Sequence, residues 1–286
     1  MNYRLVKQIR DDDVLRKSFI DLAIRTFDLS FENWYKNGYW TDKYIPYALV
    51  TNIVSNASVN IIDTVWEGTP KKYIQIGTVM TDPAHRKRGL SARLINEIIA
   101  DWKDKADAVY LFANPASIGF YPKFGFEKAD EYQYSVSVMP TFGDFRKLDM
   151  ENEEDVSLLK QYYEKSNPFS QLPMNNNYGL LMFYCSSSMK NCVYYSEKNN
   201  AVVVAAQNEA TLLCFDIFCD DNISMSTIIN ELSSDNTNRA ILGFAPKQTN
   251  NCSFEKIEGE DTLYIYSRKE NVFKYNKIMF SYLSHA

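Results

Sequence analysis

The run from residue 73 to residue 102 restricts the fold more than any other part of the chain. Residues 73–80 read as a strand, and a polar turn, Thr81-Asp82-Pro83-Ala84-His85-Arg86-Lys87-Arg88-Gly89, follows it. Leu90, Leu94, Ile95, Ile98, Ile99 and Trp102 then form one apolar stripe, which predicts an amphipathic helix over 90–102. A helix start offers unpaired backbone N–H groups and the positive end of the helix dipole. Gly89 has no side chain and Ser91 a small one, so a bulky anion can approach the backbone closely. Arg86, Lys87, Arg88 and Arg93 add positive charge around that point. Together these residues make a cradle for a pyrophosphate. Spacing alone fits a charged turn capping an ordinary helix equally well.

The surrounding pattern alternates strands and helices. Residues 3–8 read as a short strand and 11–26 as a helix, with Val14, Leu15, Phe19, Leu22 and Ile24 at near-helical spacing. An aromatic stretch without a clean period follows: Phe31, Trp34, Tyr35, Tyr39, Trp40, Tyr44 and Tyr47. Residues 47–50, 53–65 and 108–112 read as strands. Residues 115–124 read as a short helix, with Pro115 in its first turn and Gly125 just past its end. A strand over 132–138 closes this half, and Pro140 and Gly143 mark a linker. In the second half, 152–166 reads as helix, 191–218 as three β-rich runs, 223–232 as helix, and 239–244 and 262–267 as strands. That order loosely repeats the first half. The apolar tail over 278–283 should be docked rather than frayed.

Composition narrows the function. A length of 286 residues means two domains or one large one. With 45% hydrophobic residues the chain can build a core without a metal or disulfide staple. Tyr 20, Phe 17 and Trp 4 exclude a disordered chain. No window approaches ~18 consecutive apolar residues, so no membrane span is expected. Asp11-Asp12-Asp13 follows the start too soon for a signal peptide. The net charge of -5 argues against general nucleic-acid binding. Residues 1–143 hold 18 of the 31 Lys and Arg and 17 of the 36 Asp and Glu, so the acidic excess lies in the second half. Cys185, Cys192, Cys214, Cys219 and Cys252 also lie there, odd in number and without a C-x-x-C pair. Buried thiols in a reducing cytoplasm fit best, and neither a disulfide framework nor a zinc site is expected.

A second informative stretch is Asn114-Pro115-Ala116-Ser117-Ile118-Gly119-Phe120-Tyr121-Pro122-Lys123-Phe124-Gly125-Phe126. Asn114 ends a strand, and Tyr121, seven residues on, would share a helical face with it. Tyr121 read alone could be one core aromatic among many. In this order the two stretches resemble the GCN5-related N-acetyltransferase (GNAT) family. Arg86-x-x-Gly89-x-Ser91 looks like its pyrophosphate loop, R/Q-x-x-G-x-G/A, with Ser in the last small position. Asn114…Ser117…Phe120-Tyr121…Gly125-Phe126 looks like its N-x-x-A-x-x-F-Y-x-x-x-G-F signature, with Ser for Ala. The resemblance spans residues 3–138.

The resemblance implies an α/β (α+β) fold with a mixed, mostly antiparallel sheet flanked by helices. Two such domains would stand in tandem, 1–140 with the site and a degenerate 145–286 without a CoA motif. It implies N-acetyl transfer from acetyl-CoA to a primary amine, a small molecule or a peptide N-terminus, by direct attack with both substrates bound. A non-catalytic acyl-CoA-binding module on the same fold is the alternative, and a homodimer is possible on this reading. The pantetheine arm would pair with Val79, Met80 and Thr81 in an opening between two splayed strands. The pyrophosphate would sit on Arg86, Lys87, Arg88, Gly89, Leu90, Ser91 and Ala92. Asn114 and Ser117 would flank the arm, and Tyr121 would be the acid that protonates the thiolate. A phenol titrates near 10 and a thiol near 8.5, so that transfer is slightly uphill. The base is unassigned; Glu32, Asp63, Glu67 and Gln75 lie near the expected acceptor side. The aromatic stretch falls on that side too, as an amine-holding cage or as core. His85 and His285 read as bland. Some two-part GNAT proteins place a terminal carboxylate at the centre, which would here be Ala286.

Overall fold

Backbone pairing sorts the strands into two seven-stranded mixed sheets. The computed structural model describes residues 3–50 and 52–285; Ala286 lies outside them. The elements run β1 (Arg4–Lys7), α1 (Asp13–Phe27), α2 (Glu32–Lys36), β2 (Tyr44–Val50), β3 (Ile53–Trp66), β4 (Thr69–Thr81), α3 (Leu90–Trp102) and β5 (Ala108–Ala113). Next come β6 (Glu127–Lys128), β7 (Tyr132–Ser137), β8 (Arg146–Lys147), α4 (Glu153–Tyr163), α5 (Tyr178–Cys185), β9 (Val193–Ser196) and β10 (Ala201–Asn208). The chain closes with β11 (Thr211–Cys219), α6 (Met225–Leu232), β12 (Arg239–Leu242), β13 (Cys252–Lys256) and β14 (Thr262–Tyr266).

Local chemistry sets the helix ends. Asp12 opens α1 by accepting from the Val14 and Leu15 amides, and Asp28 closes it in the left-handed conformation. The stripe of α3 buries Leu90, Leu94, Ile95 and Ile98 against the first sheet. Helix α5 buries Gly179, Leu180, Leu181, Met182 and Cys185 and is apolar on all sides. Such a helix has no amphipathic period to read, which is why it escapes the sequence pattern.

The first sheet has the order β1-β2-β3-β4-β5-β14-β6 and the second β13-β7-β12-β11-β10-β9-β8. Residues 132–138, expected to close the first half's sheet, pair instead with β12 and β13 in the second. In return β14 joins the first sheet and pairs with β5 from Thr262↔Ala113 to Tyr266↔Val109. With only two residues, β6 cannot cover the open edge of β5, whereas β14 satisfies its full length.

Each sheet holds one parallel pair joined through a helix. In the first, β4 and β5 pair from Tyr73↔Ala108 to Ile76↔Leu111, after which β4 runs on to Thr81 paired only with β3. In the second, β11 and β12 pair from Thr211↔Arg239 to Cys214↔Leu242, and β11 runs on to Cys219. Both pairs therefore open toward their C-terminal ends. Residues 278–285 dock between these openings, as the apolar tail predicts. Phe280 stacks on Tyr110 of β5 with ring centroids 3.8 Å apart, and its amide donates to the Glu131 carboxylate at 2.9 Å. The Tyr282 amide donates to the Gly243 carbonyl at 2.7 Å, and its ring lies 5.1 Å from that of Phe215. Gly243 permits this closure: a Cβ there would stand 2.6 Å from the Phe215 carbonyl oxygen.

Two carboxyls are sealed in beside this segment. Asp216 accepts from the Asn167 amide at 2.5 Å and from the Ile217 backbone at 3.0 Å, and burial pushes it up to about 7. Burial likewise pushes Glu131 up to about 7. Between the ordinary carboxylate range and pH 7 the folded chain holds protons that the unfolded chain releases. These groups therefore stabilise the fold at low pH and lose that contribution as pH rises through 7. Asp216→Asn should gain stability relative to the parent between pH 5 and pH 8, by on the order of 2–4 kcal/mol. Urea titrations at the two pH values measure the gap, and a gap that does not widen contradicts the assignment.

Candidate active site

Two left-handed non-glycine residues, Thr78 and Lys87, lie along the opening beyond Ile76 and Leu111 and the turn that follows it. Strand β4 carries a bulge opposite Asn56 and Ser58, and Thr78 takes φ 50° there. Asn56 donates to the Thr78 carbonyl at 2.9 Å, and the Tyr44 and Thr78 hydroxyls lie 3.0 Å apart. Past the bulge, Val79 packs on the α3 side of the sheet. Met80 points the other way, 2% exposed among Phe19, Phe31 and Trp40, so only its backbone borders the opening. The Thr81 hydroxyl meets Ser55 at 2.8 Å and Ser91 at 3.0 Å, which ties the strand's end to the first turn of α3.

The basic turn bridges that strand and helix. Asp82 caps a short 3₁₀ turn, Pro83–His85, by accepting from Ala84. Lys87 then takes φ 61° and Gly89 φ 73°, and α3 begins without a side-chain cap. A Cβ on Gly89 would meet nothing within 4 Å, so the space over the helix start is open. Arg86, Lys87 and Arg88 are exposed around it. Arg88 donates to the Tyr3 hydroxyl at 3.0 Å and Arg93 to the Tyr3 carbonyl at 2.9 Å, so these two cations also brace the turn against the first strand. Leu90 sends its side chain into the core, while Ser91 and Ala92 are half-buried at the rim. His85 lies 2.9 Å from the Tyr3 hydroxyl through Nδ1 and supports the same brace.

The opposite lip differs from expectation in shape. Residues 115–124 are two separate 3₁₀ turns, Pro115–Ser117 and Tyr121–Phe124, not one helix. Pro122 lacks the N–H that would extend a helix, and Gly119 disfavours one. Asn114 and Tyr121 consequently do not share a helical face. Asn114 is exposed at the end of β5, and its side chain accepts from the Ser117 hydroxyl at 2.9 Å. Tyr121 is 5% exposed, its ring among Phe120, Phe126 and Tyr264. Burial pushes its phenol up to about 12. Tyr264 arrives on β14, and no local signal in the sequence places it here.

The aromatic stretch is core rather than cage. Phe31, Trp34, Trp40, Tyr44 and Tyr47 are buried, and Phe31 and Tyr44 stack at 5.7 Å. Trp34 donates to the Gly179 carbonyl at 2.7 Å, which joins the stretch to α5. A cavity of about 950 Å³ opens beside it, bordered by Tyr39, Lys43, Glu164 and Tyr178. The acceptor-side residues are engaged elsewhere: Glu32 with Lys36, Asp63 with Lys43 at 2.9 Å, and Gln75 with Asn60 at 3.1 Å. Glu67 sits in a turn at φ 48°.

Comparison with known proteins covers both sheets. Residues 13–129 match the family described as acetyltransferase (GNAT) domain. No curated protein matches the chain. A probable N-acyltransferase from Enterococcus faecalis, itself described as of unknown function, has a similar structure. It is 16% identical, with a TM-score of 0.65 over 94% of this chain and 73% of its own. A GCN5-related N-acetyltransferase from Kribbella flavida is 14% identical, with a TM-score of 0.58 over 93% and 72%. Eis1 from Mycobacterium abscessus is 14% identical, with a TM-score of 0.57 over 92% and 72%. Likeness at this identity concerns the fold, and it extends through the second half. Among the described residues no helix is long and apolar enough to cross a membrane.

Proposed function

Since residues 13–129 are an acetyltransferase (GNAT) domain and the chain is an acyltransferase, we propose that it moves the acetyl group of acetyl-CoA to a primary amine. The observation that carries this reading is the left-handed Gly89, open above the uncapped start of α3 and ringed by Arg86, Lys87 and Arg88. Such a start binds phosphate through backbone N–H groups and the helix dipole. In this reading the turn from Arg86 to Ala92 holds the pyrophosphate, and the backbone of Val79, Met80 and Thr81 pairs with the pantetheine arm. Asn114 and Ser117 form the far lip. Tyr121 donates its phenolic proton to the departing sulfur. Holding both reactants in one opening replaces a chance encounter with an oriented one.

The segment 145–286 acts as a wall and takes no CoA. Asp220 and Asp221 stand before α6, where the first half has its basic turn. Ser281 and Tyr282 border the second opening through Asp216, Gly243 and Phe215. The acceptor is a small amine or a peptide N-terminus, with no nucleic-acid or membrane partner. Five free thiols support the cytoplasm as the compartment.

Thiol release from acetyl-CoA in the presence of a panel of small amines and free-N-terminal peptides tests the reading. At least one amine is expected to accelerate release. Tight acetyl-CoA binding with no acceleration by any amine would favour a non-catalytic acyl-CoA-binding module instead.

A further inference from the structure

We propose that Asn56 is a positioning residue: through the left-handed Thr78 it sets which backbone groups of Val79, Met80 and Thr81 face the opening. This role rests on the reading above that those groups pair with the pantetheine arm of acetyl-CoA. The last pair of β4 with β5 is Ile76↔Leu111, so Thr78 lies in the first stretch of β4 that borders the opening. Thr78 and Val79 together stand opposite the single residue Ala57, between the pairs Ser58↔Gly77 and Asn56↔Met80. Thr78 holds φ 50° there and is half-buried. For a β-branched side chain that conformation is an outlier, and it persists only where the surroundings over-determine it.

Two side chains of the same sheet supply that constraint. Asn56 on β3 is fully buried and donates through Nδ2 to the Thr78 carbonyl at 2.9 Å and to the Ser58 hydroxyl at 2.9 Å. Its Oδ1 has no hydrogen-bond partner among the described residues, so the side chain is held by donation alone. Burying an amide is costly unless it is bonded, and both of its bonds serve the bulge. The Tyr44 hydroxyl on β2 lies 3.0 Å from that of Thr78. The Tyr44 ring is buried against Phe31, Trp34 and Trp40, with centroids 5.4–5.7 Å away. The aromatic stretch thus gives the bulge a rigid seat.

The extra residue decides what lies downstream of it. Side chains and backbone groups alternate along a strand, so one added residue exchanges the two faces and the two edges for every later position. With the bulge in place Val79 packs toward α3, Met80 packs toward Phe19 and Trp40, and the Thr81 hydroxyl reaches Ser91 at 3.0 Å. Without it each would turn the other way, and the N–H and C=O groups now presented to the opening would face β3. A pantetheine arm pairs through its own amides, so it needs those groups in one fixed order. The grip on the arm, not on the pyrophosphate, is therefore what a loosened bulge would lose.

The test measures two affinities of the full chain by calorimetric titration: for acetyl-CoA, and for 3′-phospho-ADP, which carries the pyrophosphate but no pantetheine arm. Asn56→Ala should weaken acetyl-CoA binding about tenfold and leave 3′-phospho-ADP within about twofold of the parent. Glycine takes a positive φ without strain, so in a Thr78→Gly background the same Asn56→Ala change should weaken acetyl-CoA by less than about threefold. Parent-like acetyl-CoA binding by Asn56→Ala would overturn the proposal. An equal loss of both ligands would overturn it in favour of general destabilisation. A full loss in the Thr78→Gly background would also overturn it, since Asn56 would then not act through Thr78. A parent that binds neither ligand would remove the CoA reading and this role with it. A parent that binds acetyl-CoA but releases no thiol with any amine would overturn the transfer reading alone, because both affinities are measured without an amine.

Discussion

Gly89→Glu is expected to weaken acetyl-CoA binding at least a hundredfold. Gly89 sits at φ 73°, a conformation that costs a residue with a Cβ about 1–2 kcal/mol. The new carboxylate would stand over the helix start, drawn to Arg86, Lys87 and Arg88 and occupying the place of the bound anion. A hundredfold loss corresponds to about 2.8 kcal/mol, less than strain and charge reversal together supply. Gly89→Ala separates the two effects. Its methyl meets nothing within 4 Å in the free protein, so it carries strain and the loss of close backbone approach, without the charge. Calorimetric titration with acetyl-CoA should rank parent, alanine and glutamate in that order. Parent-like binding by the glutamate variant would move the CoA site away from this turn.

Tyr121→Phe is expected to lower kcat about 100-fold and leave acetyl-CoA affinity unchanged. The ring packs against Phe120, Phe126 and Tyr264, and phenylalanine preserves all three contacts. Burial pushes the phenol up to about 12, so the transfer to sulfur is steeper than a free tyrosine would face. Against a thiol near 8.5 the gap is roughly 5 kcal/mol, which favours proton transfer as the C–S bond breaks rather than before it. The raised value also keeps Tyr121 protonated through the working range. Turnover in the parent should therefore show no falling alkaline limb from this residue below about pH 11. Steady-state kinetics of both proteins from pH 6 to pH 10 check the two statements together. Equal kcat in parent and variant would remove Tyr121 as the acid.

The features legible in the sequence are those whose signal is local. Helix α3 occupies residues 90–102 as its apolar stripe predicts, because one buried face suffices to define a helix. The turn Arg86-x-x-Gly89-x-Ser91 is read correctly as a strand-to-helix corner, since the glycine is needed where the chain turns left-handed. Helix α5 is hidden because it is apolar all round, and β13 because four of its five residues are exposed. Asn114 and Tyr121 belong to one motif, yet Asn114 precedes the first 3₁₀ turn and Tyr121 opens the second, because Gly119 and Pro122 break the helix that the spacing suggests. Tyr264 and His285 reach the opening from more than 140 residues away in sequence, through contacts that no window along the chain contains.

The exchanged strands impose an order of events on the chain. Every residue of the candidate CoA cradle is synthesised by position 121, but the sheet that carries it lacks an internal strand until Tyr266 has emerged. Until then β5 presents an unpaired edge of Val109, Tyr110, Leu111 and Phe112. Such an edge is a template for pairing with other chains, so the nascent first half is exposed to association during elongation. The same exchange couples the halves in the finished protein. Pulling β14 out of the first sheet uncovers Tyr121 through Tyr264, and pulling β7 out of the second separates β12 from β13. The second half is thereby a structural part of the first, and its loss would be felt at the site as misfolding.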